Sequence, residues 1–145
     1  MKIIFVCHGS ICRSPAAEMI FKSMSKEHEV ISRALTHEEI GNDIYPLMKR
    51  ELLSRGINIT RHSATYLTDK DFENCDYLFY MNDENLWYLN RRFKEDKKIL
   101  PIYQYSKGIR EIEDPWYTGN YSKVVDQITT CVKDILRNAQ KNPDY

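Results

Sequence analysis

The chain has 145 residues, 42% of them hydrophobic, and its 21 Lys and Arg are balanced by 21 Asp and Glu. This length predicts one domain over residues 1–145, and the balanced charge argues against a nucleic acid or an anionic membrane as a partner. The first apolar run is too short for a signal peptide or a membrane span, and the four cysteines lack the spacing of a disulfide framework or a zinc site. We therefore expect a cytoplasmic monomer with reduced thiols and no bound metal.

The first 24 residues predict a strand, a tight loop and a helix. Residues 2–6 form a β-branched and aromatic run that is typical of a buried strand. Ser14 and Pro15 follow the loop as the predicted N-cap and first helical residue. The helix itself is indicated by apolar residues at helical spacing, namely Ala17, Ile20, Phe21 and Met24.

The loop between these elements, residues 7–14, is typical of an anion-binding site. Its N–H groups and the helix N-terminus are predicted to point into one hollow that suits a phosphate-sized dianion. Arg13 adds a bidentate fork to the phosphate oxygens, and Cys7 lies at the bottom of the hollow. The same positive field favours the nucleophilic thiolate form of Cys7, to which Ser14 is expected to donate a hydrogen bond.

Strand and helix patterns alternate along the rest of the chain. The predicted strands cover residues 29–32, 76–81 and 98–102, and the predicted helices cover 43–55, 83–92 and 120–137, with a further short helix after a capping box at Thr68. Loops are predicted over 33–42 and 103–113, and a frayed tail over 138–145. The alternation predicts an α/β fold: a doubly wound, mainly parallel four-stranded sheet with helices on both faces. In such sheets ligands bind at the carboxyl ends of strands, which is where the Cys7 loop begins.

Two motifs of the chain resemble those of a known enzyme family. The segment Val6-Cys7-x-Gly9-x-Ile11-Cys12-Arg13-Ser14-Pro15-x-Ala17-Glu18 closely resembles the active-site loop of the low-molecular-weight protein tyrosine phosphatases. The segment Asp114-Pro115-Trp116-Tyr117 lies where that family has its Asp-Pro-aromatic motif. Further matches extend over nearly the whole length: Ser32, Ile40-Gly41-Asn42, Gly56-Ile57, His62-x-Ala64, Asp71-Phe72 and Asn85-Leu86.

The resemblance implies a single phosphatase domain that hydrolyses phosphotyrosine in proteins or peptides through a phosphocysteine intermediate. Cys7 is then the nucleophile, Arg13 stabilises charge on the phosphoryl oxygens, and Asp114 protonates the leaving tyrosine oxygen. No cofactor is implied, because loop amides and the guanidinium take the role that a metal has elsewhere. The residues implied to contact the substrate are His8, Gly9, Ser10, Ile11, Cys12, Ser14, Trp116 and Tyr117.

The resemblance also assigns supporting roles outside direct substrate contact. Ser32 and His62 match positions whose hydrogen bonds brace the loop. Cys12 matches a second loop cysteine, which is expected to capture an oxidised Cys7 in a reversible disulfide. The sequence thus predicts a redox-sensitive enzyme.

Two positions depart from the family pattern. Ser10 stands where the family usually has asparagine, at a loop position with unusual backbone geometry. Serine tolerates the left-handed region less well than asparagine, so the loop is expected to be looser or differently braced. Glu38 stands where an aromatic residue usually borders the cleft, and its charge is expected to attract basic substrate segments.

Three other functions share parts of this pattern. An arsenate reductase with this fold adds a closely spaced cysteine pair beyond the middle of the chain, and Cys75 and Cys131 are too far apart in sequence to match it. A non-catalytic phosphotyrosine-binding module is disfavoured because both catalytic motifs are intact. A protein-arginine phosphatase of the same family has threonine at the position of Ile11, whereas isoleucine accompanies the tyrosine phosphatases.

Overall fold

Four parallel strands form one sheet in the order β2-β1-β3-β4. A computed structural model describes residues 1–141 of the chain. The strands are β1 (Lys2–Cys7), β2 (Glu29–Ala34), β3 (Tyr77–Tyr80) and β4 (Ile99–Pro101). The helices are α1 (Arg13–Met24), α2 (Pro46–Ser54), α3 (Asp69–Asn74), α4 (Asp83–Arg92), α5 (Pro115–Thr118) and α6 (Tyr121–Lys141). The predicted α/β fold with a four-stranded sheet is confirmed, and the described sheet is parallel throughout.

Successive side chains of β1 pack on opposite faces of the sheet, as the period of a strand requires. Ile3, Phe5 and Cys7 belong to one hydrophobic cluster, together with residues of α1 and α6. Ile4 and Val6 belong to a second cluster, which includes residues of β3 and α4. Helices therefore cover both faces, as predicted, and Cys7 lies on the side of α1 and α6.

The carboxyl end of β1 is the point at which the chain changes direction across the sheet. Strand β1 lies between β2 and β3 in the sheet. Helix α1 connects β1 to β2 on one side, whereas β3 and β4, which come later in the chain, lie on the other side. A crevice forms beyond the strand ends at such a switch point. Cys7 is the last residue of β1 and pairs with Ala34 at the end of β2, so the predicted phosphate loop begins in this crevice.

Helix α1 begins earlier than the sequence predicts. Its N-cap is Cys12 and its first residue is Arg13, so Ser14 and Pro15 occupy the second and third helical positions. The Ser14 hydroxyl does not cap the helix because it contacts two side chains inside the loop instead. Proline is tolerated at the third position because the first helical N–H groups lack an intrahelical partner anyway. The predicted N-cap at Ser14 is therefore wrong.

The remaining differences are shifts of a few residues at the ends of strands and helices, apart from α5, which the sequence does not predict. Helix α2 begins at Pro46 and not at residue 43, because Tyr45 precedes a proline and is held in an extended conformation. Helix α4 has its predicted bounds. Helix α6 continues to Lys141, over the first part of the predicted tail, and residues 142–145 of that tail lie outside the described residues.

Candidate active site

A cavity of about 180 Å³ opens at the carboxyl end of β1. Three segments line it: the loop between β1 and α1, the loop after β2, and the segment around α5. The lining residues are Cys7, His8, Gly9, Ile11, Cys12, Arg13, Glu38, Glu39, Asp114, Trp116 and Tyr117. The structure therefore brings together the two sequence motifs, which most of the chain separates.

Cys7 is almost fully buried at the end of β1 and contacts the first turn of α1. Its Sγ lies 3.4 Å from the backbone nitrogen of Ser14 and 3.2 Å from the Ser14 hydroxyl oxygen. The N–H group is one of those at a helix N-terminus that have no intrahelical acceptor, and the partial positive charge there stabilises an anion. The Ser14 N–H donates to the sulfur, so the first turn of α1 holds Cys7 at the base of the cavity.

A chain of hydroxyl groups extends from Cys7 into the interior. The Oγ atoms of Ser14 and Ser10 are 2.9 Å apart, and both residues are fully buried. A hydroxyl group has one hydrogen to donate. When Cys7 is ionised, Ser14 donates to the sulfur and therefore accepts from Ser10. The side chains of Ser10 and Ser14 thus support the loop from below, and do not line the cavity as the resemblance implies.

Ser10 has a left-handed backbone conformation. Its φ is 57°, and it is the only non-glycine residue with positive φ in the described part of the chain. His62 Nε2 lies 2.7 Å from the carbonyl oxygen of Ser10 and carries the proton, because a carbonyl only accepts. The Ser10 hydroxyl contacts Ser14, so this strained residue is held through both its backbone and its side chain. The His62 and Ser14 contacts together hold the loop at this residue.

Ser32 contacts α1 and not the loop. Its buried Oγ donates to Oε1 of Glu18 at 2.7 Å, and Lys22 donates to the other carboxylate oxygen at 2.6 Å. A buried carboxylate needs such donors, which accounts for the partner that Ser32 takes. The predicted bond from Ser32 to the loop is therefore corrected to an indirect link through the helix that the loop enters.

Gly9 lies where the loop after β2 approaches the cavity. A Cβ atom on Gly9 would stand 3.1 Å from Cγ of Glu39, closer than ordinary van der Waals contact. Glycine at this position therefore lets the Glu39 side chain fold against the loop and line the cavity.

Arg13 is 2% exposed and is oriented by the segment that precedes α5. Its Nη1 donates to the carbonyl oxygen of Ile112 at 3.1 Å, and its Nη2 lies 3.5 Å from Oδ2 of Asp114. Its Nε has no hydrogen-bond partner among residues 1–141, although the residue lines the cavity. A buried donor without a partner is costly, and an oxygen of a bound phosphate would supply the missing acceptor.

Asp114 is the N-cap of α5. Its Oδ1 accepts a hydrogen bond from the backbone N–H of Trp116 at 3.1 Å, and its Oδ2 faces Arg13. The side chain is 25% exposed, so water reaches it. The sequence does not predict α5, because four residues are too few to show a helical period. The cap fixes the Asp114 carboxyl group at the cavity wall, beside the Arg13 guanidinium.

Exposed aromatic side chains form one side of the cavity. Trp116 is 54% exposed and Tyr117 is 83% exposed. The ring of Tyr45 meets that of Trp116 edge-on, with 4.9 Å between their centroids, and the Tyr45 N–H donates to the carbonyl oxygen of Ile11 at 2.8 Å. Tyr45 thus supports Trp116 from outside the cavity, and the side chains of Ile11, Trp116 and Tyr117 form a slot that suits a flat aromatic ring.

His8 connects the loop after β2 to α4. Its Nε2 lies 2.8 Å from Oε2 of Glu38, and its Nδ1 lies 2.9 Å from Oε1 of Glu84. We call this arrangement the rim bridge. Burial lowers the pKa of His8, but hydrogen bonds and charges from both glutamates outweigh burial and raise this pKa above its ordinary value of 6.5. The histidine ring also meets the ring of Tyr88 edge-on.

Residues 1–141 contain neither a helix long and apolar enough to cross a membrane nor a cluster of side chains that could hold a metal ion. The longest described helix, α6, is amphipathic and carries several charged residues. No group of three or more His, Cys, Asp or Glu in this part of the chain has the arrangement of a metal site.

Comparison with known proteins assigns the family. Residues 2–144 match the family model described as low molecular weight phosphotyrosine protein phosphatase. The chain belongs to this family. A relative with the same description from Sus scrofa is 32% identical and covers 95% of each chain. The predicted family is thus confirmed.

Solved structures of phosphatases match the whole architecture. The crystal structure of YfkJ from Bacillus subtilis has a TM-score of 0.91 at 30% identity and covers 97% of this chain and 95% of that chain. The structure of DARP, a drosophila arginine phosphatase, has a TM-score of 0.88 at 27% identity and covers 98% and 99%. Tyrosine phosphatase is the activity that the family description supports, in agreement with the predicted enzyme class.

The cysteine pair of an arsenate reductase is not found in this phosphatase. Cys75 packs in the cluster on the α4 side of the sheet, whereas Cys131 packs in the cluster on the α6 side. The sheet therefore lies between the two thiols, and both are free. Neither can relay a disulfide to the other in this fold.

Several contacts of the phosphatase site escape sequence reasoning. The acceptor for Arg13 is the backbone carbonyl of Ile112, which no side-chain pattern indicates. His8 is separated from its two glutamate partners by 30 and 76 residues. The family pattern marks the position of Glu38 as one that borders the cleft, whereas nothing in the sequence points to Glu84.

Proposed function

We propose that this phosphatase hydrolyses phosphotyrosine in proteins or peptides through a phosphocysteine intermediate. The observation that carries the proposal is the unpartnered, buried Nε of Arg13, in a cavity that Cys7 and Asp114 also line. These three residues supply an anion site, a nucleophile and a proton donor. Phosphoryl transfer requires all three.

In the first step, the Cys7 thiolate attacks phosphorus in line with the tyrosine oxygen. The sulfur–phosphorus bond forms as the phosphorus–oxygen bond breaks, and Asp114 gives its proton to the departing tyrosine oxygen. Arg13 and the loop N–H groups bind the equatorial phosphoryl oxygens, where charge must be stabilised.

In the second step, water attacks the phosphorus of the phosphocysteine. Asp114, now ionised, accepts the proton of that water, the sulfur–phosphorus bond breaks, and phosphate leaves. The N–H and hydroxyl groups of Ser14, 3.4 and 3.2 Å from the sulfur, stabilise the departing thiolate. The chain itself supplies every group that these two steps use, so the proposed reaction takes no metal or other cofactor.

The slot beside the anion site favours phosphotyrosine over phosphoserine and phosphothreonine. Cys7 is only 3% exposed, so a long, flat side chain is needed to bring phosphorus to it, and Ile11 and Trp116 offer apolar surface to a phenyl ring. Hydrolysis of phosphoarginine is the second candidate activity, because the structural relative DARP is an arginine phosphatase. Isoleucine at position 11 supports the tyrosine substrate.

The substrate is tested by comparing kcat/KM on matched phosphotyrosine, phosphoserine and phosphoarginine peptides. We expect phosphotyrosine to be preferred, and Ile11→Thr to shift the phosphotyrosine-to-phosphoarginine ratio by about tenfold toward phosphoarginine, since a hydroxyl helps to satisfy a guanidinium group. Ile40→Thr is the matched control, because Ile40 is exposed and lies outside the cavity lining. A wild-type preference for phosphoarginine would overturn the proposed substrate.

We expect peroxide to inactivate the phosphatase reversibly through Cys7 and Cys12. Burial, with the charges of Cys7 and Asp114, raises the pKa of Cys12 above its ordinary value, so Cys12 remains a thiol at neutral pH. Peroxide converts the Cys7 thiolate to a sulfenic acid; the Cys12 sulfur attacks that sulfur, and the sulfenic hydroxyl leaves as water with the thiol proton.

The redox prediction is measured by activity after mild peroxide treatment and after dithiothreitol, with peptide mapping of the disulfide. We expect dithiothreitol to restore the wild type but not Cys12→Ser, whose Cys7 is oxidised further. Cys131→Ser, which removes a thiol buried away from the cavity, should recover like the wild type. Mapping that finds no Cys7–Cys12 bridge contradicts the mechanism.

We also infer that the phosphatase acts as a single-domain cytoplasmic monomer on phosphoprotein substrates. One family model spans residues 2–144, which supports a single domain. The four free, buried thiols fit a reducing compartment. Size-exclusion chromatography with light scattering tests the oligomeric state.

A further inference from the structure

The mouth of the cavity carries negative charge, although its anion site is positive. Glu38 and Glu39 line the cavity, and Glu84 is joined to it through His8. We call these three glutamates the rim carboxylates. His8 is the basic side chain that pairs with two of them. The three glutamates and His8 together therefore keep a net charge of about −2 even when His8 is protonated. A phosphorylated substrate therefore passes an acidic rim before it reaches Arg13.

The rim carboxylates are held in position and accessible at the same time. His8 binds one oxygen each of Glu38 and Glu84, whose side chains remain 65% and 57% exposed. Asn42 Nδ2 donates to Oε2 of Glu39 at 2.6 Å. A side chain that is already fixed loses less conformational entropy when a partner binds it. These carboxylates are thus pre-organised to receive a cation.

The cavity itself gives independent evidence of an anionic ligand. The Nε of Arg13 is buried without a partner, at a residue that is 2% exposed. When a phosphotyrosine side chain enters to satisfy this donor, the neighbouring residues of the substrate remain outside. Those neighbours then lie beside the rim carboxylates, which contact them and not the phosphate.

We propose that the rim carboxylates select phosphotyrosine segments with Lys or Arg next to the phosphotyrosine. This inference rests on the proposed function and names the substrate class of the same site. Basic neighbours pair with Glu38, Glu39 and Glu84, while acidic neighbours are repelled as they approach. Charges of this kind act on the rate of encounter and on the choice of partner more than on the chemical step.

The test compares three phosphotyrosine peptides of equal length, with Lys, Gln or Glu at the two positions on each side of phosphotyrosine. We expect wild-type kcat/KM to be about tenfold higher for the Lys peptide than for the Gln peptide, because exposed ion pairs contribute a few-fold each. The Glu peptide should be the poorest substrate. The preference should shrink as salt rises from about 0.01 M to about 0.15 M, where the Debye length falls from about 30 to about 8 Å.

Neutral variants identify the carboxylates responsible. Glu38→Gln is expected to reduce the Lys-to-Gln peptide ratio about twofold, and Glu38→Gln combined with Glu84→Gln to reduce it about fivefold, with Glu39 supplying the remainder. The measured quantity is the ratio of kcat/KM for two peptides on the same variant. A substitution that changes the activity on both peptides equally therefore leaves this ratio unchanged. Glu95→Gln, which removes an exposed carboxylate outside the cavity lining, should keep the wild-type ratio.

The outcomes separate this inference from the proposed function. Hydrolysis of all three peptides at equal kcat/KM, or a Lys preference unchanged by the double substitution, overturns the role of the rim carboxylates and leaves the phosphatase activity intact. Failure to hydrolyse any phosphotyrosine peptide or p-nitrophenyl phosphate overturns both. A salt-sensitive Lys preference that falls about fivefold in the double variant supports the inference.

Discussion

Cys7→Ser is expected to lower phosphatase activity to the level of the protein-free background. A serine hydroxyl stays protonated at neutral pH, and the Ser14 N–H and hydroxyl groups that contact this position do not remove a proton. The rate on p-nitrophenyl phosphate and on a phosphotyrosine peptide should fall on the order of 10⁶-fold, as it does when a covalent enzyme loses its nucleophile.

Two further measurements secure this result. Cys75→Ser replaces a different buried cysteine, whose Sγ contacts the carbonyl of Phe72, and should keep its activity. Inorganic phosphate should still bind to Cys7→Ser, because Arg13 and the loop N–H groups are untouched. More than about 1% residual activity in Cys7→Ser would assign the nucleophile elsewhere, since such activity is far above the expected loss.

Asp114→Ala and Asp114→Asn are both expected to lower kcat by roughly 10²- to 10⁴-fold on a phosphotyrosine peptide, the usual contribution of a general acid. The loss should be smaller for p-nitrophenyl phosphate than for phenyl phosphate, because a leaving group of low pKa needs less protonation. A plot of kcat against leaving-group pKa should therefore be steeper for the variants than for the wild type.

The pair of variants separates proton donation from helix capping. Asparagine keeps an oxygen that can accept from the Trp116 N–H at the start of α5, whereas alanine does not. If capping were the whole role of Asp114, Asp114→Asn would retain activity, and the proposed acid would be wrong. Asp69→Ala, at a surface carboxylate paired with Arg92, should behave like the wild type.

Local patterns predict most of the fold because strands and helices of this chain follow their periods closely. The apolar run of residues 2–6 forms β1, and the capping box at Thr68 and the bounds of α4 are found as predicted. The predicted N-cap at Ser14 failed because its hydroxyl serves the loop, and tertiary contacts outweigh a capping preference. The prediction thus failed at a side chain that could bond either to the helix N-terminus or to the loop.

The sequence motifs predict the principal residues that line the candidate site, but not the hydrogen bonds that hold those residues in place. The loop and the Asp-Pro motif identify Cys7, Arg13 and Asp114, all of which line one cavity. The partner of Ser32 depends on where a buried carboxylate needs a donor, and the rim bridge depends on the meeting of three distant segments. Such contacts arise from packing, which a single sequence does not encode in any local pattern.

The segment that carries Asp114 is tied to the rest of the molecule by both backbone groups of Ile112. Its N–H donates to the carbonyl of Met81 beyond β3, and its carbonyl accepts from Arg13. Both bonds join groups of the chain itself, so their formation does not depend on a substrate. The conformational entropy of the segment that carries Asp114 is therefore lost when the protein folds, and it is not lost again each time a substrate binds. We therefore expect turnover without the closure of a lid over this segment.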